Sequence, residues 1–279
     1  MTSVKANGIT IEYETRGSRD DEPMLLVMGH GAQLVYWPTG FVDDLAAAGY
    51  YVVLYDNRDV GLSSKFPAGT AYTIADMAAD GVALLDVLGI DSAHIVGASM
   101  GGGIVQQIAI DFPERVRSLC SIMSTTSGPG LPPPSEAVIA GMLREPATER
   151  SAVIEQSVET AHIVGSTGFA IDDDEVRART ALSFDRGFHP DGRLNQTMAI
   201  AAAPDRTEAL GAVTVPTVVI HGSVDPLVSP VGGELTAKAV PGAELVIVDG
   251  MGHDLPEGAF GIVVDAIVAN ARKAATAPA

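Results

Sequence analysis

Apolar residues along the chain fall into short continuous runs that alternate with longer stretches of helical spacing. Ile9 to Thr15 alternates apolar and polar positions as a half-buried strand does, and it is expected to be an antiparallel edge strand. Met24 to Met28 and Tyr51 to Tyr55 are unbroken apolar runs, the pattern of strands covered on both faces, and Phe41 to Ala48 between them has helical spacing and stops at Gly49. The same order continues. Ile74 to Leu88 predicts a helix ended by Gly89, His94 to Val96 a strand running into Gly97, Met100 to Asp111 a helix, and Val116 to Met123 a strand. Strands separated by helices of about 10–15 residues imply right-handed βαβ units, so an α/β class with a mostly parallel sheet and helices on both faces is expected.

Between Thr125 and Asp205 the pattern changes. A Pro-rich start, Pro129 to Pro134, leads into helical stretches without buried-strand runs. From Thr217 the alternation resumes: a strand to Ile220, a helix near Gly233 to Ala239, a strand from Glu244 to Val248 and a terminal helix from Pro256 to Arg272. The expected organisation is one core, residues 1–124 and 206–279, carrying a helical cap of residues 125–205. The Ala-rich tail from Ala274 to Ala279 is expected to fray. The acidic run Asp172-Asp173-Asp174-Glu175 lacks the spaced ligands and central Gly of a calcium loop, and is read as a helix start with carboxylates at the positive end of the dipole.

Composition narrows the function classes. The chain has 17 basic and 35 acidic side chains, a net charge of −18. Such a surface repels nucleic acid and anionic membranes. With 47% of residues apolar and 19% charged, the chain can bury a core and is not expected to be disordered. Cys120 is the sole cysteine, which excludes an internal disulfide and a cysteine-held zinc. Residues 1–8 do not form a leader pattern and no run of about 18 apolar residues occurs, so a cytoplasmic protein is expected.

The most informative segment is Gly97-Ala98-Ser99-Met100-Gly101, a G-x-S-x-G sequence directly after a buried strand and before a helix. That setting pushes a serine out at the carboxyl edge of a sheet, and the helix N-terminus behind it offers free N–H groups to a developing oxyanion. A serine hydroxyl needs a base, and the base needs an orienting acid. His253, after the last strand, and Asp225, on the loop after the preceding one, fit the chain order Ser, acid, His. His94, His162, His189 and His221 fit that order less well, and Asp249 and Asp254 are expected to be solvated. The oxyanion donors are expected to be the backbone N–H of Met100 and that of Ala32 in Gly29-His30-Gly31-Ala32, with Gly31 the alternative. His30 is expected to brace that turn.

Cofactor motifs fail. Gly29-His30-Gly31 follows a strand and Asp56 stands downstream, but Leu34 occupies the third glycine of a dinucleotide fingerprint. Neither a P-loop nor a His-Glu-x-x-His zinc motif occurs.

Taken together, the His30-Gly31 loop, Asp56-Asn57-Arg58-Asp59-Val60-Gly61-Leu62-Ser63, the Gly97 to Gly101 turn, Gly222 to Pro226 and Gly252-His253 resemble the α/β-hydrolase superfamily over essentially the whole chain. Val27-Met28-Gly29 with Trp37-Pro38, the Arg58 to Gly61 turn and Met251-Gly252-His253 are similar to the bacterial carboxylesterase and methylesterase group that includes the aclacinomycin methylesterases. One departure is Asp59, where many relatives carry Gly. The resemblance implies a sheet of about eight strands, a Ser99, His253 and Asp225 triad, no cofactor or metal, and hydrolysis of a carboxylic ester. Ser99 speaks against the dehalogenase and epoxide hydrolase branches, which would require Asp there. The same triad also fits cleavage of a lactone, a thioester or a carbon–carbon bond, or a peracid-forming reaction, and the fold alone would serve a ligand receptor. Phe169, Phe184, Phe188 and Met198 are candidates for an apolar lining, although the cap's own core is the simpler reading of each. With the acidic surface, these features predict a small, neutral, partly apolar ester as partner.

Overall fold

The computed structural model describes residues 2–274. Its strands are β1 (Thr2–Ala6), β2 (Ile9–Arg16), β3 (Glu22–Val27), β4 (Tyr50–Tyr55), β5 (Ala93–Ala98), β6 (Val116–Ile122), β7 (Thr217–Gly222) and β8 (Glu244–Val248). They form one eight-stranded sheet in the order β1-β2-β4-β3-β5-β6-β7-β8. Pairings from β3 to β8 are parallel, and β1–β2 and β2–β4 are antiparallel.

The expected antiparallel strand is present as β2, but it is not the edge. The edge is β1, which the hydrophobic pattern does not announce because its residues are mostly exposed. The two strands form a hairpin through Asn7 and Gly8, both left-handed at φ 47° and 76°. Two consecutive left-handed residues make the turn whose twist matches paired strands, and Asn-Gly is the dipeptide that adopts it most easily.

The buried runs are continuous because both faces of the sheet are covered. In β3, Leu25 and Val27 face α2 (Ile74–Leu88) and α3 (Met100–Asp111), and pack with Met77, Leu85, Ile104 and Ile108. Met24 and Leu26 face α1 (Thr39–Ala47) and α10 (Phe260–Ala274), and pack with Phe41, Leu45, Val263 and Ile267. Each such side chain taken from water contributes about 1.5–3 kcal/mol. Helix α2 also carries its own boundaries: Thr73 and Asp76 form a reciprocal capping box, and Gly89 ends it in the left-handed conformation. Of the Ala-rich tail, Ala274 is the last residue of α10, and the remainder lies outside the described residues.

Between β6 and β7 the chain forms α4 (Glu136–Met142), α5 (Arg150–Val164), α6 (Asp173–Gly187) and α7 (Pro190–Ala201), followed by the short α8 (Thr207–Leu210). The acidic run is the start of α6, where the Asp172 carboxylate accepts from the Asp174 and Glu175 N–H groups. Little of this insertion is apolar core. Val158 is the one buried residue of α5 and Thr180 that of α6. The two ends of the insertion meet at a neck, where Arg206 donates through its backbone N–H to the Thr126 carbonyl and through Nη2 to the Thr125 carbonyl. Helix α9 (Val231–Ala239) then leads to β8.

The strand order places β3 beside β5 with β4 on the far side of β3. Connections leave these two strands in opposite directions, which opens a crevice at their carboxyl ends. The loops after Val27 and Ala98 lie there.

Candidate active site

Ser99 is the residue between β5 and α3, at φ 57° and ψ −120°. A side chain in this region strains the backbone. The neighbours hold it: the Ser99 N–H donates to the Ile122 carbonyl at 2.9 Å. The flanking glycines are obligatory, since a Cβ on Gly97 would overlap the Gly101 carbonyl and one on Gly101 the Val27 carbonyl. The hydroxyl thus stands at the mouth of the crevice with the start of α3 behind it.

His253 reaches Ser99 from the loop after β8, its Nε2 2.9 Å from the Ser99 Oγ. On its other side Nδ1 lies 2.7 Å from Asp225 Oδ2. The His253 side chain is 9% exposed and that of Asp225 fully buried. A carboxylate only accepts, so Nδ1 carries the proton toward Asp225 and the Nε2 lone pair faces the hydroxyl. Burial alone would raise the Asp225 carboxyl. Hydrogen bonds from His221 and His253, the attraction of His253 in its imidazolium form and the Val228 N–H outweigh it and hold the group well below the usual carboxylate range. Asp225 is satisfied at both oxygens, because Oδ1 accepts from the Leu227 and Val228 N–H groups at 2.9 Å each.

His221, which fits the chain order less well than His253, is fully buried and faces this acid. Its Nε2 is 2.8 Å from the Val228 carbonyl and 3.3 Å from Asp225 Oδ2. Both partners are acceptors, so Nε2 bears the hydrogen and shares it between them. The four-residue spacing from His221 to Asp225 across a strand end was the available signal.

The two expected oxyanion donors differ in how they are placed. Met100 is the first residue of α3, where a backbone N–H has no acceptor within its own helix. The loop after β3 passes directly over Ser99: a Cβ on Gly29 would stand 3.0 Å from the Ser99 Cβ. In that loop the Gly31 N–H donates to Gln196 Oε1 at 2.7 Å, which removes Gly31 as the alternative donor. The Ala32 N–H makes a long 3.3 Å turn contact with the Gly29 carbonyl. His30 braces the turn as expected, with Nε2 2.9 Å from both the Arg193 carbonyl and Thr197 Oγ1.

The remaining candidates are dispersed. His94 is buried at the amino end of central β5, with Ser118 and Glu22 as partners. His162 pairs with Asp173 at the surface, and His189 Nε2 contacts the Phe66 carbonyl at 3.2 Å. Asp249 is exposed, but Asp254 is half-buried rather than solvated and accepts from Ser166 Oγ at 2.5 Å. Of the four lining candidates, Phe169 borders the cavity, whereas Phe184 and Phe188 stack on each other with centroids 4.7 Å apart and Met198 is largely exposed. Asp56 accepts from the Leu34 and Leu62 N–H groups and pairs with Arg186 of α6. Arg58 forms a two-pronged pair with Asp80. Asp59 has φ 73°, a conformation glycine adopts freely, and its carboxylate accepts from the Phe66 N–H and from Asn195 Nδ2.

What the sequence pattern does not show is how much of the site's support comes from the insertion. The His253 N–H donates to the Val164 carbonyl at 2.7 Å, and the Gly252 N–H to Ser166 Oγ at 3.0 Å. Gln33 Nε2 donates to the Ser183 carbonyl, while Arg186 Nη1 donates to Gln33 Oε1.

A cavity of about 1290 Å³ opens in front of Ser99 and His253. Met28, Met123, Leu227, Leu255 and Phe260 are among its apolar lining, and Asp172 to Glu175, Asp254 and Glu257 are among its charged lining together with Arg179 and Arg193. Among the described residues, no group of three or more His, Cys, Asp or Glu is placed to hold a metal ion, and no helix is long and apolar enough to cross a membrane.

A serine, a histidine and an aspartate joined at the carboxyl ends of a mostly parallel eight-stranded sheet are the architecture of one family, and residues 22–258 match the family model described as alpha/beta hydrolase fold. The chain belongs to that family. Within it, the chain is 32% identical to the rhodomycin D methylesterase of Streptomyces peucetius, over 95% of this chain and 96% of that one. It is 31% identical to a 2-hydroxy-6-oxononadienedioate/2-hydroxy-6-oxononatrienedioate hydrolase of Cupriavidus pinatubonensis, over 83% and 80% of the two chains. Among solved structures, the meta-cleavage product hydrolase from Pseudomonas fluorescens superposes with a TM-score of 0.82 at 21% identity, covering 98% of each chain, a likeness of fold.

Proposed function

We propose that the protein is a serine hydrolase of carboxylic esters, with residues 125–205 acting as a helical cap over a core of residues 1–124 and 206–279. The observation that carries this reading is the linked geometry of Ser99 Oγ, His253 and Asp225, at 2.9 and 2.7 Å. His253 Nε2 takes the hydroxyl proton as Ser99 Oγ attacks the ester carbonyl, and Asp225 stabilises the imidazolium. The Met100 and Ala32 N–H groups receive the developing oxyanion. Collapse expels the alcohol, which takes the proton from His253. Water, deprotonated by the same imidazole, then attacks the acyl-enzyme and releases the acid and Ser99.

The methylesterase likeness supports an ester as the bond cleaved. The cavity exceeds the usual range for small ligands, about 300–1000 Å³, which supports a substrate larger than a short-chain ester. Its acidic flank supports neutral over anionic substrates, because a carboxylate brought there meets like charge. A second reading keeps the same three side chains but a different bond, such as a lactone, thioester or carbon–carbon bond; the likeness to the dienedioate hydrolase favours it.

A fluorophosphonate probe is expected to label the wild type and not Ser99→Ala. A folded wild type that stays unlabelled rejects the enzyme reading. Screening kcat/KM on methyl esters, lactones and thioesters then separates the two readings: fastest turnover of neutral methyl esters is expected, and turnover confined to the other bonds favours the second.

A further inference from the structure

The loop that presents Ala32 to the reacting carbonyl has no regular structure of its own, and its conformation is set from outside. Gly31 is left-handed at φ 66°. Its N–H is bound by Gln196, a fully buried side chain of α7 that comes from the insertion and not from the sheet. The orientation of the Gln196 amide is unambiguous. Its Nε2 donates to the Arg58 carbonyl at 2.9 Å, which can only accept, so Oε1 faces the Gly31 N–H. Arg58 is itself fixed, since Asp80 grips its guanidinium at 2.6 and 2.8 Å. The adjacent residue is held by the same helix, through the contact of His30 with the Arg193 carbonyl and Thr197.

Building on the reading of Ser99 as nucleophile, we propose that Gln196 is a positioning residue for oxyanion binding: by accepting from the Gly31 N–H it sets the peptide that aims the Ala32 N–H at the oxyanion. Gln196 touches neither Ser99 nor the cavity, so it acts through the loop. It also removes a competing N–H from the site, leaving one defined donor there rather than two alternatives. Deleting an oxyanion donor lowers kcat by about 10²–10³-fold. Losing its alignment while the N–H remains is expected to lower it by less.

The test compares Gln196→Leu, which keeps the volume and removes both hydrogen bonds, with wild type, using rates per site titrated with the fluorophosphonate. About a 10–100-fold fall in kcat is expected, with KM within about threefold. The Ki of a boronic acid that mimics the tetrahedral intermediate should rise by a similar factor, while that of the product acid stays unchanged. Equal kcat and boronate affinity per titrated site would overturn the proposal, because a residue that only supports folding changes the number of active sites and not their rate. Should Gln196→Leu fail to fold, Gln196→Met decides, since it likewise fills the space without an acceptor for the Gly31 N–H. The same fall in kcat and in boronate affinity per titrated site is expected, and values equal to wild type overturn the proposal. A wild type that the probe does not label rejects instead the serine-hydrolase reading.

Discussion

The sheet and the helical insertion are held together by different physics. In the sheet, side chains alternate between two apolar layers, and residues such as Leu25, Ile95 and Ile108 are fully buried among other hydrocarbons. In the insertion, the larger buried side chains of α6 and α7 are Thr180, Asn195 and Gln196, with the small Ala199 joining an apolar layer. Their attachments to the sheet loops include hydrogen bonds, a buried ion pair and the Arg179 guanidinium over the Tyr36 ring. Apolar packing is tolerant of small errors in direction, whereas hydrogen bonds fix direction and leave a charged or polar group stranded when broken. A region attached in the second way is poorly suited to swing freely. It is well suited to orient loops, and the loops it orients are those of Ala32 and His253.

The contrast can be tested by breaking each kind of contact. The largest effect is expected from Arg186→Met, which leaves the buried Asp56 carboxylate without its guanidinium. A loss of about 3–5 kcal/mol is expected, as for other broken buried pairs. Hydrogen exchange should locate the loosening in α6, α7 and the Leu34 turn; uniform loosening of the sheet would erase the distinction between the two regions.

A second effect depends on pH. The Asp225 carboxyl lies below its unfolded value, so the folded protein binds fewer protons there than the unfolded chain. Its contribution is therefore complete above the ordinary carboxylate range, about pH 4, and is lost as pH falls toward the folded value. Urea midpoints should decline more steeply between pH 5 and 3 for wild type than for Asp225→Asn. Because the partners of Asp225 all belong to the core, equal slopes would show that this acid does not couple to core stability.

The smallest effect is expected from Ile108→Val in α3, which removes one methylene from a packed site. A loss of about 0.5–1.5 kcal/mol is expected, with kcat unchanged. A change in kcat would mean that apolar packing, and not only the polar seam, sets the geometry around Ser99.

The same contrast explains what was legible in the sequence. Unbroken runs such as Met24 to Met28 mark strands covered on both faces, so the parallel sheet followed from pattern alone. Ser99, Asp225 and His253 could be picked because each follows a short apolar run that reads as a strand, and they come in the chain order Ser, acid, His. Edge strand β1 escaped because Thr2 to Ala6 lacks such a run; the Asn7-Gly8 pair was its one local sign. In the insertion, Gln196, Asn195 and Arg186 are residue types that usually face water, and only their tertiary placement buries them. Conversely, Phe188 and Met198 look like lining residues yet stand partly exposed.

The order of the chain has a consequence for how the site is born. Ser99 and the Ala32 loop are synthesised early, while Gln196, Asp225 and His253 follow at 97, 126 and 154 residues beyond Ser99. A nascent chain therefore carries its serine through the next 97 residues with the Ala32 loop unheld, and through 126 with neither base nor acid beside it. Under the proposed function, the hydroxyl gains its reactivity only when β8 and the loop behind it have been laid against the finished sheet.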